Sequence, residues 1–422
     1  MYRKVRSIAR HPLITGSSII FVGTLIANIF NYLFNLLMGH KLSVPDYGLL
    51  TTLSSIFILA AIFALAFGNV IARYSARYFA NGNTTGARAV LVLGSRFVFI
   101  FGLGLTVVLS LLIPFLTKFL HVDNPLYVFI IIIAVFFALL LALPTGYIQG
   151  RLKFYLLSAS AISQPVIKVI AALALLSLGF SLYGPLLALI LASAIPFIFF
   201  SYYLWRDHRR TSDLHDFDHA LFKKEFIHDT STFFLSAIGF TLLQNADIIL
   251  VRHFLGPFES GQYAALSLMG KAIFYFTTPV NAVFFPLISM KKERKERLLP
   301  TLTLALGVVA IAAGAIALFY ALFPKVVLAV FFPGSGYAVL QQYLGFFALY
   351  IVVLCLASLL NSFFLSIGKT GVFKIALAAA LLQIGAIFLF HESLFQIITV
   401  LFSISLLLLT LLIGYYVKYA KD

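Results

Sequence analysis

The feature that most constrains this chain is a series of twelve long apolar runs separated by short polar segments. A helix of about 20 apolar residues crosses the hydrocarbon core of a bilayer, which is about 30 Å thick. Each run meets or nearly meets this length. The runs cover approximately residues 13–38, 48–77, 90–117, 126–147, 155–178, 182–205, 229–254, 261–289, 299–323, 337–366, 372–390 and 394–417. The pattern predicts an all-α membrane protein of about twelve transmembrane helices.

The composition excludes a soluble fold. Of the 422 residues, 62% are hydrophobic and only 10% are charged, so there is too little polar surface to cover a soluble core of this size. The formal net charge is +16. The basic residues stand in short loops rather than along one solvated face, so nucleic acid is not expected as a partner.

The basic residues also predict the orientation of the chain. Cytoplasmic loops of membrane proteins carry an excess of Lys and Arg. With the N-terminus inside, 24 of the 30 basic residues fall on the cytoplasmic side, and only Lys41, Lys118 and Lys325 fall on the other. Arg73 and Arg77 are then interpreted as anchors at the inner interface. We expect a protein of the cytoplasmic (inner) membrane with both termini in the cytoplasm.

The longest predicted cytoplasmic connection, at about residues 206–228, divides the runs into six and six. The predicted domains are an N-terminal lobe of residues 1–212 and a C-terminal lobe of residues 213–422. The two halves also repeat at an offset of 213 positions, where HKLSVPDYG (residues 40–48) lies over HFLGPFESG (residues 253–261). Six helices per half put both copies in the same orientation. The sequence therefore predicts a parallel repeat about an axis along the membrane normal, an architecture of transporters.

The connection between the halves contains apolar residues at helical spacing. They are Phe217, Leu221, Phe222 and Phe226. This spacing predicts an amphipathic helix on the inner membrane face. His215 and His219 lie four residues apart and could suggest a metal ion, but a solvated linker looks the same and no dedicated ligand motif is present. No metal site is expected.

Two segments in corresponding places of the halves carry a family resemblance. NYLFNLLMGHKLSVPDYGLLTTLS (residues 31–54) resembles the opening of the polysaccharide transporter family, the Wzx-type oligosaccharide flippases. NADIILVRHFLGPFESGQYAALS (residues 245–267) is similar to their seventh-helix segment and the turn after it. This family belongs to the multidrug/oligosaccharidyl-lipid/polysaccharide exporter superfamily. The resemblance implies a V-shaped pair of six-helix lobes, like that of multidrug exporters, which alternate access and turn over a glycan linked to polyprenyl (pyro)phosphate.

Ionisable groups within membrane spans are costly, so each one is a functional hypothesis. The chain has four such groups well inside its runs: Lys168, Asp247, Arg252 and Lys271. Asp247 is the only acid among them. It either neutralises Lys271 or Arg252 in the empty state or carries a coupling ion, H⁺ or Na⁺. Arg252 has the alternative of extending to the outer interface.

Polar residues at helical spacing accompany these charges. The further candidates for lining a substrate cavity are Asn28, Asn31, Asn35, Gln164, Asn245 and Tyr275. The alternative interpretation is that these side chains only hydrogen-bond neighbouring helices, as is common within membrane bundles.

The excess of cations over acids inside the spans favours an anionic cargo. Ammonium and guanidinium groups can replace the hydration of a diphosphate that leaves water. The predicted function is therefore export of a lipid-linked oligosaccharide for cell-surface polysaccharide synthesis. The alternatives are a multidrug antiporter of the same superfamily and a membrane-embedded glycan-assembly enzyme, although paired carboxylates and nucleotide motifs are absent from the sequence. No cofactor beyond a coupling ion is expected, and the expected partners are membrane lipids and polysaccharide-assembly machinery, with the chain itself a monomer.

Overall fold

The structure, a computed structural model, describes residues 12–207 and 219–419, and all regular secondary structure in these ranges is helical. The helices of the first range are α1 (Pro12–Lys41), α2 (Val44–Ala60), α3 (Ile62–Ala80), α4 (Thr84–Leu111), α5 (Ile113–Phe119), α6 (Pro125–Gly150), α7 (Phe154–Ser177) and α8 (Tyr183–Asp207). Those of the second are α9 (His219–Phe254), α10 (Pro257–Glu293), α11 (Leu299–Leu322), α12 (Pro324–Phe331), α13 (Gln341–Ser366), α14 (Phe373–Leu389) and α15 (Leu394–Tyr419). Two short 3₁₀ helices, Ser335–Leu340 and Thr370–Val372, precede α13 and α14.

The described helices account for eleven of the twelve predicted spans by length and composition. Eleven segments are long and apolar enough to cross a membrane, and α2 and α3 together form one of them. The twelfth long helix is α10, which has 37 residues. Helices predominate because each satisfies its backbone hydrogen bonds internally, which the interior of a bilayer requires.

Local sequence signals set several helix starts. Asn83 and Asn124 precede α4 and α6, and their side chains accept hydrogen bonds from Gly86 N (2.6 Å) and Leu126 N (3.0 Å). Each therefore satisfies one of the backbone donors left open in a first helical turn. Before α10 the chain turns at Gly256, which has a φ of 98°. Pro-containing first turns follow in α6 and α10, where the missing N–H of proline costs nothing.

The described residues divide into two compact units. The first contains residues 12–34 and the described part of 56–235, and the second contains residues 35–55 and 236–419. The division by packing thus differs from the division by repeat, because α1, α2 and α9 each contribute to both units.

The structure describes only part of the connection in which an amphipathic surface helix was predicted, so that prediction is untested. Residues 208–218, which include His215 and Phe217, lie outside the described residues, and from His219 onward the chain is already in α9, a single helix of 36 residues. Phe226 is buried in the first unit and stacks on Phe67, with ring centroids 6.0 Å apart. The Phe226 side chain is stabilised there in two ways, by burial of its apolar area and by packing against other aromatic rings.

The outer surfaces of the helices are apolar. Leu111, Ile311 and Leu389 are examples, with exposed fractions of 76%, 75% and 76%. Large exposed apolar areas are rare on soluble monomers and normal on lipid-facing helices. The exposed apolar surface therefore supports the same assignment as the length of the apolar runs, that of a multi-pass membrane protein.

Candidate functional site

The two repeated turns pack against each other within the second unit. Gly48, in α2, and Gly261, in α10, occupy equivalent positions of the repeat. A Cβ atom on Gly48 would lie 2.5 Å from Gly261 N, and one on Gly261 would lie 1.9 Å from the carbonyl oxygen of Val44. Neither distance is compatible with a side chain, so glycine at both positions permits the backbones to touch. The repeat motif thus encodes a close helix approach.

Ser43 is the cap residue at the start of α2, and its partner is Asp46 in the first helical turn. Ser43 Oγ accepts a hydrogen bond from Asp46 N (3.3 Å) and donates one to Asp46 Oδ2 (2.6 Å). The bond from Asp46 N satisfies one backbone donor of the first helical turn, and the Asp46 carboxylate orients the Ser43 hydroxyl. Glu259 stands in the first turn of α10, where a negative charge is favourable to the helix dipole.

Lys168 lies in the first unit beside α1. Its Nζ donates a hydrogen bond to Asn31 Oδ1 (2.6 Å) and stands 4.5 Å from the centre of the Phe34 ring. An amide oxygen and an aromatic face both stabilise a cation in a partly desolvated place. The structure thereby brings together two of the predicted residues, Lys168 and Asn31. Asn28, one turn earlier on α1, is half-buried.

Asp247 lies in the second unit and is almost fully buried. Tyr263 donates a hydrogen bond to Asp247 Oδ2 (2.5 Å), while Asp247 Oδ1 has no hydrogen-bond partner among the described residues. Lys271 interacts electrostatically with this carboxylate. Asp247 and Lys271 are not among the ion pairs with an N–O distance of up to 4.0 Å in the described ranges. A buried acid, a tyrosine and a lysine thus form one group.

Sequence reasoning did not select Tyr263, although the sequence contains a signal for it. Asp247 and Tyr263 each stand eight residues from Leu255, which lies at the turn between α9 and α10. Residues equally far from such a turn come to the same level of an antiparallel helix pair. A buried carboxylate also needs a donor. Together these arguments select Tyr263.

The remaining candidates are Asn245, Gln164, Asn35, Tyr275 and Arg252. Asn245 and Gln164 hydrogen-bond carbonyl oxygens one turn earlier in their own helices, at 2.9 and 3.4 Å. Asn35 and Tyr275 are half-buried. Arg252 is only 4% exposed, and whether it extends to the outer interface stays a prediction. Their roles in a substrate cavity stay predictions.

A second polar group, in the first unit, was not expected. Arg73 forms an ion pair with Asp229 (3.0 Å), and Tyr74 donates hydrogen bonds to Glu225 (3.0 Å) and to Asp229 (3.1 Å). A cavity of about 520 Å³ adjoins these residues and is also lined by Arg77 and His228. Arg73 and Tyr74 therefore connect α3 to α9, and the place of Arg73 at the inner interface stays a prediction.

Within the described ranges, no group of three or more His, Cys, Asp or Glu side chains is arranged to bind a metal ion. The side chain of His219 lies outside the described residues. The prediction about the histidines of the connection is therefore untested.

Comparison with known proteins gives both a family and a fold. Residues 13–292 match the family described as polysaccharide biosynthesis protein. An uncharacterized membrane protein of Methanocaldococcus jannaschii is 27% identical over 184 residues, which are 42% of this chain and 44% of that protein. The matched region thus spans less than half of this curated relative.

Solved transporter structures are similar over nearly the whole chain. An inward-facing multidrug resistance MATE family transporter of the MOP superfamily has a TM-score of 0.76 at 14% identity, covering 95% of this chain and 97% of that one. A MOP superfamily transporter from Pyrococcus furiosus, described as having a binding pocket of reverse polarity, has a TM-score of 0.69 at 15% identity, covering 96% of each chain. At such identities the similarity shows the fold, and it confirms the predicted fold class.

Proposed function

The chain belongs to the family of polysaccharide biosynthesis proteins, and from this premise we propose that it carries a lipid-linked oligosaccharide from the inner to the outer leaflet of the cytoplasmic membrane. The match over residues 13–292 confirms the resemblance found in residues 31–54 and 245–267. The transporter fold fits a carrier better than an enzyme. We expect the N- and C-termini in the cytoplasm and a monomeric chain.

The observation that carries the proposal is the charge balance inside the spans. Lys168, Arg252 and Lys271 supply three positive charges, and Asp247 supplies the single negative one. A cargo with a diphosphate head compensates such an excess, because each phosphate oxygen accepts hydrogen bonds from ammonium and guanidinium groups. The glycan would meet the amides and hydroxyls near these cations, and the polyprenyl tail would stay in lipid.

Asp247 has a defined task in this proposal. Tyr263 holds one of its oxygens, so the carboxylate is fixed rather than free to follow a ligand. Its charge compensates Lys271 when no substrate is bound, and the diphosphate replaces it as the stronger partner of the ammonium group. Asp247 is then a charge-balancing residue, and the energy for transport enters as a gradient of H⁺ or Na⁺ or through consumption of the flipped product.

The test is transport by purified protein in proteoliposomes. A fluorescent polyprenyl-diphosphate oligosaccharide should reach the opposite leaflet faster with the wild type than in empty vesicles. The double variant K168A/K271A should lose most of this activity. The matched control is K369A/K374A, which removes two exposed lysines. Equal transport by both double variants would refute the cationic site, and no acceleration by the wild type would refute the proposed function.

The multidrug antiporter is retained as a second candidate because of the similarity to the MATE transporter structure. The same vesicles distinguish the two functions. A multidrug antiporter should accumulate a cationic dye when a proton or sodium gradient is imposed, and neutralising Asp247 should abolish that accumulation. An oligosaccharide carrier should leave the dye distribution unchanged.

A further inference from the structure

The cavity formed by α3 and α9 in the first unit has a lining of polar and ionisable side chains. Its volume is about 520 Å³. Its lining residues are Arg73, Tyr74, Arg77, Glu225, His228 and Asp229. None of the residues proposed to bind the diphosphate of the cargo lines it. The proposed transport thus leaves this cavity without a role.

Hydrogen bonds already orient four of the lining side chains. Arg73 donates to Asp229 Oδ2 at 3.0 Å. The Tyr74 hydroxyl lies 3.1 Å from the same oxygen and 3.0 Å from Glu225 Oε2. Binding to groups that are already ordered costs less entropy than binding to mobile ones. The polar side of the cavity is therefore preorganised.

These bonds leave acceptor positions on both carboxylates. An ionised carboxylate has two oxygens with about four lone-pair sites. The three bonds end on Oε2 of Glu225 and Oδ2 of Asp229. Within the described ranges, the second oxygen of each group, Glu225 Oε1 or Asp229 Oδ1, accepts no hydrogen bond. Both residues are half-buried, so these oxygens can accept hydrogen bonds from a ligand in the cavity.

Two other lining residues supply donors. Arg77 and His228 are both exposed. A guanidinium group has five N–H donors and no acceptor, and an imidazole ring has at least one N–H donor. The cavity therefore presents open acceptors from α9 together with donors from α3 and α9.

The charges of the lining select against ionic ligands. Two arginines stand beside two carboxylates in one cavity. A phosphate or a carboxylate would meet the repulsion of Glu225 and Asp229, and an amine would meet that of Arg73 and Arg77. An uncharged ligand meets neither. The lining offers no aliphatic side chain to a lipid tail.

Hydroxyl groups match both kinds of polar group in this lining. Each hydroxyl has one donor hydrogen and two acceptor lone pairs. It can therefore donate to a carboxylate oxygen while it accepts a hydrogen bond from an arginine or histidine N–H. Small-molecule sites have volumes of about 300–1,000 Å³, a range that includes this cavity. A single sugar unit, small and rich in hydroxyls, has the chemistry that this lining requires.

We propose that the cavity binds one uncharged sugar unit of the oligosaccharide cargo. Its hydroxyls donate to Glu225 and Asp229 and accept hydrogen bonds from Arg77 and His228. The identity of the ligand as part of a cargo rests on the proposed function, and access from the cytoplasm rests on the orientation predicted from the basic residues. The cavity then helps to select which glycan is carried, while the cations inside the spans bind the diphosphate.

The experiment is saturation-transfer difference NMR of the purified full chain with the methyl glycosides of glucose, galactose, mannose and N-acetylglucosamine. The protein is kept in lauryldimethylamine oxide, a detergent without a sugar headgroup. At least one glycoside should receive saturation from the wild type, and titration gives its Kd. R77Q/E225Q removes one charged donor and one charged acceptor and should raise this Kd at least about tenfold.

The matched control is R294Q/E296Q, which also replaces one arginine and one glutamate. These side chains are 63% and 46% exposed, and the variant should bind the glycoside as the wild type does. H228A separates loss of binding from loss of folding. Because the His228 side chain is exposed, H228A should keep the wild-type unfolding temperature and still raise the Kd.

Three results would overturn the proposal. They are no saturation of any of the four glycosides by the wild type, equal Kd values for R77Q/E225Q and R294Q/E296Q, and tighter binding of the methyl glycoside of glucuronic acid than of the uncharged glycosides. Transport of the fluorescent oligosaccharide is measured separately in proteoliposomes. A wild type that transports but binds no glycoside refutes this site alone. One that binds a glycoside but transports nothing refutes the proposed function.

Discussion

Substituting Gly261 by alanine tests whether the two repeated turns require glycine because their backbones touch. The added methyl group would lie 1.9 Å from the carbonyl oxygen of Val44 and 2.6 Å from the carbonyl carbon. These are backbone atoms of another helix, so no flexible side chain can move aside. Overpacking of a closely packed site costs about 1–3 kcal/mol. Because backbone must shift, we expect a loss near the upper end, about 3 kcal/mol.

The assay is thermal unfolding of the detergent-purified protein, followed by the fraction that remains monodisperse on size-exclusion chromatography. G261A should unfold several degrees below the wild type. The matched control is G307A, since a methyl group there meets no atom within 4 Å. Alanine has the higher helix propensity by about 1 kcal/mol, so G307A should be unchanged or slightly more stable. A wild-type unfolding temperature for G261A would refute the argument.

The equivalent residue of the first repeat supplies a second, independent comparison. A methyl group on Gly48 would lie 2.5 Å from Gly261 N. G48A alone should therefore also destabilise the protein. Both methyl groups enter one contact, so the double variant should lose less stability than the two single losses added together. Strict additivity would indicate that the glycines act separately.

Three further predictions concern single hydrogen bonds. Y263F should lower the free energy of unfolding by about 1.5–3 kcal/mol, because it removes a bond to a buried carboxylate; Y155F, at a residue 74% exposed, should have no effect in the same denaturation assay. R73A should change the unfolding free energy by less than about 1 kcal/mol, because this arginine is 65% exposed and Asp229 keeps its bond from Tyr74, and a larger loss would contradict this. N83A should cost about 1 kcal/mol through loss of the cap on Gly86 N, seen as faster hydrogen exchange at the start of α4.

The sequence predicted the spans well because a transmembrane helix is a local structure. Its length follows from the thickness of the hydrocarbon core, and its backbone bonds are satisfied within the segment itself. The repeat at residues 40–48 and 253–261 could also be recognised from the sequence, because similar residues recur there at a single offset. Lys168 could likewise be selected as an intramembrane cation from the sequence alone.

The contacts that a side chain makes with residues of other helices could not be predicted in this way. Hydropathy gives the length of a helix but neither its rotation nor its neighbour, so the bond from Tyr263 to Asp247 and the pair of Arg73 with Asp229 required coordinates. Phe226 shows the same limit: helical spacing predicted its secondary structure, while burial against Phe67 decided its place.

What the sequence by itself determined is therefore a membrane protein of about twelve helices with a parallel repeat and cations inside its spans. Only the tertiary structure decided which side chains meet these cations and that the two repeat glycines touch. It also decided that packing divides the described chain at residues other than the boundary of the repeat. The physical reason is that crossing a bilayer is a requirement on each segment, whereas a contact is a property of two segments and of the orientation in which they pack.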